Sequence, residues 1–420
     1  MNKVIQLFKA PKNYIEIALL SFGLLPIIPE RITGLPVFLL VVSIFLISLK
    51  EKRIHFEFKK KKFLISISVF LIFLISLSYT KNLSLGVKTV FETRLSLFLL
   101  PFCFLFIKSK TIILKDILIK FCWIFSISVL VLILYYCIHL PFLTEDVNPS
   151  FRFPSGSFFK NGILNLPIFY KEPFQASFLA VIGIFSLFYL KIKRKISIFS
   201  LALLNVFFLS FLIVLSSKLS ILAVTLFYFY LIFYYIKSTW KRIVFLGFIL
   251  FIGGTVLKTP SLNHEIKEMS YFFKGKKFTK NDATITRFKI TKSSINVLKK
   301  INIWWGVGVG DVQNELNLEY INQNYNELVK KKMDSHNQYL NLFIGNGIIG
   351  ILILVFHLCF AIFKARRLKS NYLLFVILFF SLHMLTETIL ERQLSVVLYS
   401  FFYCLIVFGE NNQTNPQNTQ

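Results

Sequence analysis

The stretch Asp334-Ser335-His336-Asn337-Gln338-Tyr339-Leu340-Asn341 closes a long polar segment and opens an apolar run through Gly345, Gly347 and Gly350. It sets an imidazole at the mouth of a membrane helix. Polar and titratable groups at the edge of hydrocarbon are costly and mark a pathway or a reaction site. His336 therefore reads as the centre of an active site, although its spacing alone equally suits a residue that caps the next helix or anchors it at the interface.

Outward from this stretch the chain is apolar. Hydrophobic residues make up 55% of it, with Phe 50 and charged residues at 16%, against about 25% charge in a soluble domain. A polytopic, all-α membrane protein follows. The net charge of +28 would suit nucleic acid if the cations shared one face. They sit instead in short clusters between apolar runs, the pattern of cytoplasmic loops, and no nucleic-acid partner is expected. Cys103, Cys122, Cys137, Cys359 and Cys404 all lie within apolar runs and form no C-x-x-C pair. They read as small buried hydrophobes, with neither a metal site nor a disulfide framework expected.

Apolar runs fall at about 14–28, 35–49, 63–79, 94–107, 116–140, 173–190, 196–214, 219–236, 241–257, 338–363, 371–387 and 393–408. That predicts about 12 transmembrane helices, several shorter than the ~20 residues that cross a bilayer untilted. Helices 1–9 would occupy 1–257, an outside loop 258–337, and helices 10–12 residues 338–408. The polar tail 409–420 is expected to be disordered and cytoplasmic. Alternate connectors carry Lys50 to Arg53 and Lys59 to Lys62, Lys108 and Lys110, Lys191 to Lys195, Lys237 to Arg242, and Lys364 to Arg367. These face the cytoplasm by the positive-inside rule, as do both termini. The loop 258–337 is basic too, but long enough to translocate whatever its charge. His336 is then periplasmic. No internal repeat is visible, which disfavours a repeat-built transporter.

The loop has its own pattern. Ile285, Phe288, Ile295, Leu298 and Ile301 recur at helical spacing, predicting a helix from about Thr284 to Lys300 whose apolar stripe packs or lies on the membrane surface. Arg287 sits beside that stripe, as a ligand contact or as its solvated edge. Trp304-Trp305-Gly306-Val307-Gly308-Val309-Gly310-Asp311 follows, with glycines that permit close backbone approach. A second helix is expected from about Val312 to Lys332, capped by Asp311. Farther on, His383, Glu387 and Glu391 fall at i, i+4 and i+8 on one predicted helix face, with Arg392 adjacent. They read either as an interhelical ion pair or as groups that orient a substrate. His357 reads as an interhelical hydrogen-bonder and His55 as solvated surface.

Ser335-His336-Asn337-Gln338-Tyr339-Leu340 with Gly345 and Gly347-Ile348-Ile349-Gly350 resembles the H-N-x-[YF]-L…G-x-x-G motif of the O-antigen ligase and O-antigen polymerase superfamily. Trp305 to Gly310 is similar to that family's G-x-G element, and Arg287 matches its loop arginine. The resemblance implies a fold similar to the C-type glycosyltransferases with one large helical periplasmic loop. It implies transfer of an undecaprenyl-diphosphate-linked glycan to a sugar hydroxyl at the outer face of the bacterial inner membrane. The acceptor would be lipid A-core for a ligase or another repeat unit for a polymerase; a protein O-glycosylating transferase is a third possibility, and a polysaccharide transporter a fourth.

No cofactor or metal is implied, since basic residues would hold the diphosphate and stabilise it as it leaves with inversion. His336 would be the base that activates the hydroxyl. Arg287, Lys218, Asn337, Tyr339, Glu387, Glu391 and Arg392 would bind substrate. One departure stands out: where the family has an S-R element, this chain reads Ser216-Ser217-Lys218. Lysine keeps the charge and loses the bidentate fork, so either Lys218 binds phosphate as a point charge or the diphosphate contact has moved to Arg287 and its neighbours.

Overall fold

The computed structural model describes residues 11–51, 56, 59–107, 114–139, 171–215, 217–235, 237–240, 242–243, 247 and 283–410. These are helical, with no strand among the described residues. In chain order the main helices are α1 (Pro11–Ser21), α2 (Leu35–Glu51), α3 (Lys60–Ser76), α4 (Leu83–Lys88), α5 (Ser96–Leu105), α6 (Leu114–His139), α7 (Pro173–Ile192), α8 (Ile198–Val214) and α9 (Lys218–Tyr235). After them come α10 (Ala283–Leu298), α11 (Val312–Asn322), α12 (Asn326–Lys330), α13 (Gln338–Arg367), α14 (Asn371–His383) and α15 (Gln393–Phe408).

Five helices, Glu30–Glu51, Leu114–Ile138, Pro173–Ile192, Lys218–Tyr235 and Gln338–Arg367, are long and apolar enough to cross a membrane. Shorter apolar helices, α8, α14 and α15 among them, accompany these. The outward faces confirm the solvent. Phe38, Phe45 and Leu49 on α2 and Phe199, Leu203 and Val206 on α8 are all exposed, far more apolar surface than a water-soluble monomer shows. The predicted run at 241–257, residues 258–282 of the predicted outside loop, His55 and residues 411–420 of the tail lie outside the described residues, apart from 242–243 and 247.

The chain divides into two units, and α6 and α10 each pass from one to the other. The first comprises residues 1–25, 31–125 and 293–420. Its centre is α15, buried at every position from Leu394 to Phe408. A helix that is apolar all round is a core helix or a membrane span, and its burial makes this one the core of the unit. Phe401 stacks on Phe22 at 4.4 Å and meets Phe121 at 5.2 Å, while Phe402 meets Tyr372 and Phe380. Helices α3 and α13 pair antiparallel, as Asn346 Nδ2 donates to Ile72 O at 3.0 Å and Ser68 Oγ meets His357 Nδ1 at 3.5 Å. His357 is thus the interhelical contact expected from its place in the run, its ring lying 3.6 Å from that of Tyr403.

The second unit, residues 26–30 and 126–292, is built on α7. Nearly all of α7 is buried. Ser177 on α7 accepts from Ser220 on α9 at 3.1 Å, and Phe185 and Phe188 pack on Phe227. Ahead of α7, Lys171 is wholly buried, with its Nζ donating to Ile28 O at 2.6 Å. Burial pulls its pKa down to about 8, against the opposing pull of Glu30.

Two loop expectations are corrected. The segment 312–332 is two helices, because Asn324 adopts a left-handed φ of 57° between α11 and α12. Asp311 stands at the start of α11 but makes no cap with its side chain. Its carboxylate accepts instead from Thr80 Oγ1 at 2.8 Å, Lys81 N at 2.5 Å and Asn82 N at 3.1 Å, tying the loop to the end of α3. Helix α10 forms as predicted, yet Phe288 and Ile295 of the apolar stripe are exposed. The buried face is Ile290, Ser293, Ser294 and Val297, where serines small enough for close packing take the place of the larger apolar residues.

Candidate active site

Three consecutive residues fix the start of α13 to the end of α14 and the connection that follows it. Asn337, in an extended conformation, caps the helix: its Oδ1 accepts from Tyr339 N at 2.9 Å and Leu340 N at 3.0 Å. Its Nδ2 donates to Leu385 O at 2.9 Å. Gln338, fully buried, donates from its backbone to Met384 O and accepts from Leu390 N through Oε1, both at 2.8 Å. The Tyr339 hydroxyl donates to Ser381 O at 3.0 Å. The carbonyls of Met384 and Leu385 are therefore drawn to α13, and α14 stops at His383.

This geometry corrects the single helix face predicted for His383, Glu387 and Glu391. Only His383 is in the helix; Glu387 lies in the turn beyond it, and Glu391 in a short 3-10 turn, Ile389–Glu391.

His336 sits at the lip of this construction in a left-handed conformation, φ 45°. Few non-glycine residues adopt it. Asp334 holds it there by accepting the His336 backbone N–H at 2.9 Å, a local turn that aspartate favours. Glu387 Oε2 lies 3.3 Å from His336 Nδ1 and Asp334 Oδ1 3.7 Å from it. Asp334 is itself placed: Thr388 donates to its Oδ2 at 2.6 Å, and Arg392 approaches the same oxygen at 4.0 Å.

An ionised carboxylate only accepts, so Glu387 selects the tautomer with hydrogen on Nδ1 and leaves the lone pair on Nε2. The ring is about one quarter exposed. An imidazole that faces a carboxylate through one ring nitrogen is an arrangement able to activate a hydroxyl nucleophile.

One residue that the apolar pattern concealed completes the frame. Arg94 follows a π-turn, Thr89–Thr93, and is only 1% exposed. Its Nη2 pairs with Glu391, its Nε donates to Leu390 O at 3.2 Å, and its guanidinium lies 3.8 Å over the Phe73 ring. Glu391 is therefore committed to Arg94, whereas Glu387 faces the imidazole. A lone arginine at the edge of a hydrophobic run would have been the signal, since a buried charge requires a partner.

The glycine loop serves α13 itself. Gly347 has φ 64° and breaks the helix. The backbone groups freed there are satisfied from 303–308: Val307 N donates to Ile344 O at 2.9 Å, Gly308 N to Gly345 O at 2.8 Å, and Ile348 N to Ile303 O at 2.9 Å. Gly306, at φ 72°, comes so close to Ile344–Asn346 that a Cβ would strike their backbone.

Of the sequence-predicted site residues, His336, Asn337, Tyr339, Glu387, Glu391 and Arg392 gather in the first unit. Lys218 and Arg287 belong to the second. Lys218 is the first residue of α9 and is exposed; Arg287 is exposed in the first two turns of α10. Residues 203–355 match the family model described as O-antigen ligase. The chain carries an O-antigen ligase family domain. The matched stretch includes Lys218, Arg287, His336 and Gly347. Glu387 lies outside the O-antigen ligase domain and reaches its histidine at 3.3 Å, while Arg94 and Glu391, also outside it, pair with each other. No curated protein matches the chain significantly.

Proposed function

We propose that this protein transfers a glycan from undecaprenyl diphosphate to a sugar hydroxyl on lipid A-core at the periplasmic face of the inner membrane, as an O-antigen ligase. The observation that carries the chemistry is the His336 ring, with Nδ1 on Glu387 at 3.3 Å. The acceptor hydroxyl attacks the anomeric carbon from the face opposite the diphosphate. Its proton passes to Nε2 as the bond to the diphosphate oxygen breaks, so configuration inverts and undecaprenyl diphosphate leaves. Glu387 and Asp334 stabilise the imidazolium that forms. The protein's own cations would neutralise the leaving group.

Lys218 and Arg287 are the residues to which the family resemblance gives the diphosphate. A charge-assisted phosphate contact contributes about 1.5–3 kcal/mol, so Arg287→Ala should slow transfer by roughly ten- to a hundredfold and Arg287→Lys should recover only part of it. Normal turnover by the purified alanine variant would make Arg287 a surface residue.

Orientation is part of the same reading. Lys59 and Lys62 meet Glu410 at 3.7 and 3.6 Å, and α3 and α13 run antiparallel, so these cations and His336 belong to opposite ends of the first unit. The cationic end is assigned to the cytoplasm.

A deletion strain tests the function. Loss of long-chain glycan from lipopolysaccharide with accumulation of lipid-linked polymer supports the ligase; a single capped repeat indicates the polymerase instead. A reporter fused at Asn322 should read periplasm, and a cytoplasmic signal overturns the reading outright.

A further inference from the structure

Next to the glycine loop lies a cleft of 610 Å³ that the transfer chemistry leaves unused, lined by Tyr79, Lys81, Asn302, Trp305, Asp311 and Glu315 among others. All of it falls within the first unit. Its walls are fixed. The Tyr79 hydroxyl donates to Trp305 O at 2.8 Å, and the two rings meet edge to face at 6.3 Å. Asn302 Oδ1 accepts from Trp304 N and Trp305 N at 2.9 and 3.2 Å, and its amide N–H groups remain to serve the cleft. Burial pushes the Tyr79 hydroxyl up to about 12, against a contact with Asn346, so it stays a donor at every ordinary pH.

The lining states what it would bind. Two carboxylates against one ammonium repel a diphosphate or an anionic lipid headgroup. A half-exposed tryptophan beside carboxylate, ammonium and amide suits a ring with one apolar C–H face and a rim of hydroxyls. The cleft is also correctly placed. Gly306, on its wall, rests against Ile344–Asn346, which lie on the order of 10 Å along α13 from the histidine end at 1.5 Å per residue. A sugar there would be a neighbour of the reacting one.

We propose that this cleft is a glycan subsite, with Trp305 as the stacking platform and Glu315, Lys81 and Asn302 as hydroxyl partners. Its assignment to a substrate of transfer rests on the function proposed above; its chemistry as a saccharide site does not. The glycan is that of the donor or that of the acceptor, and the test separates them.

The full-length protein and its Trp305→Ala, Trp305→Phe and Glu315→Gln variants are purified in nanodiscs. Binding of oligosaccharides released by mild acid from the host's own surface glycan is followed by saturation-transfer NMR and calorimetry. Trp305→Ala and Glu315→Gln should each weaken binding by roughly tenfold or more, the loss of one stacking or charged hydrogen-bond contact, and Trp305→Phe should restore much of it. In the transfer assay the KM of one substrate should rise by a similar factor, with kcat and the pH profile little changed. A rise for the lipid-linked donor assigns its glycan to the cleft; a rise for the acceptor assigns the acceptor's. Saccharide binding that depends on Trp305, in a protein that transfers nothing, upholds the subsite and removes the proposed reaction. Unchanged binding and unchanged KM in both variants overturn the subsite, and so does a variant that loses phosphatidylglycerol instead of saccharide.

Discussion

Purified His336→Ala inserts, binds lipid-linked donor and transfers glycan about 10²- to 10⁴-fold more slowly than the unaltered protein, the usual cost of losing a general base. The fold should survive, because the cap of α13 is made by Asn337 and the turn by Asp334, neither of which uses the imidazole. In the unaltered protein activity should fall on the acidic side. The sign follows from the chemistry: only neutral imidazole has a lone pair on Nε2, and lowering the pH removes that form. Transfer within a few-fold of normal, with the same acidic limb, would make His336 a helix-end residue. Glu387 would then be the next candidate base, since Glu391 is engaged with Arg94.

Gly347→Ala has the largest expected effect on stability. A left-handed backbone costs an L-residue about 1–2 kcal/mol, and here the new methyl would also overlap the carbonyl of Trp304. That carbonyl belongs to the loop whose neighbours supply the hydrogen bonds of the break, so it cannot yield without losing them. A total above about 4 kcal/mol is expected, in the range of exceptional destabilisation. It is read as loss of monodisperse protein in detergent or a sharply lowered Tm. Gly34→Ala is the control, because its methyl would meet only the end of Gln393 at 3.7 Å. Equal behaviour of the two variants would refute the account of the break.

The long apolar runs are legible because burial in hydrocarbon demands little more than length and hydrophobicity. Helices α2, α6, α7, α9 and α13 begin and end within a few residues of the runs that predict them. His336 stands out as a titratable ring at the start of such a run, but spacing leaves it open between a site and a helix cap, and its contact with Glu387 comes only from the fold. The break at Gly347 is not legible. Nothing local requires it, and it exists because residues 303–308 bring backbone partners to it. The division of labour between Glu387 and Glu391 is hidden for a similar reason. Helical spacing assumes that α14 continues, and it stops where Asn337 and Gln338 claim its carbonyls.

The pairing of Arg94 with Glu391 also sets a clock. The two residues stand 297 positions apart. At about 5–20 residues per second of synthesis, the arginine emerges roughly fifteen seconds to a minute before its carboxylate exists. Through that interval the guanidinium has no reason to leave the headgroup region, where a long cationic side chain can keep its charge in water. Helix α5 is therefore expected to sit shallow while the middle of the protein is made. The first unit can close only when α15 and the turn before it arrive, so its N-terminal helices are completed by a segment made 297 residues after Arg94.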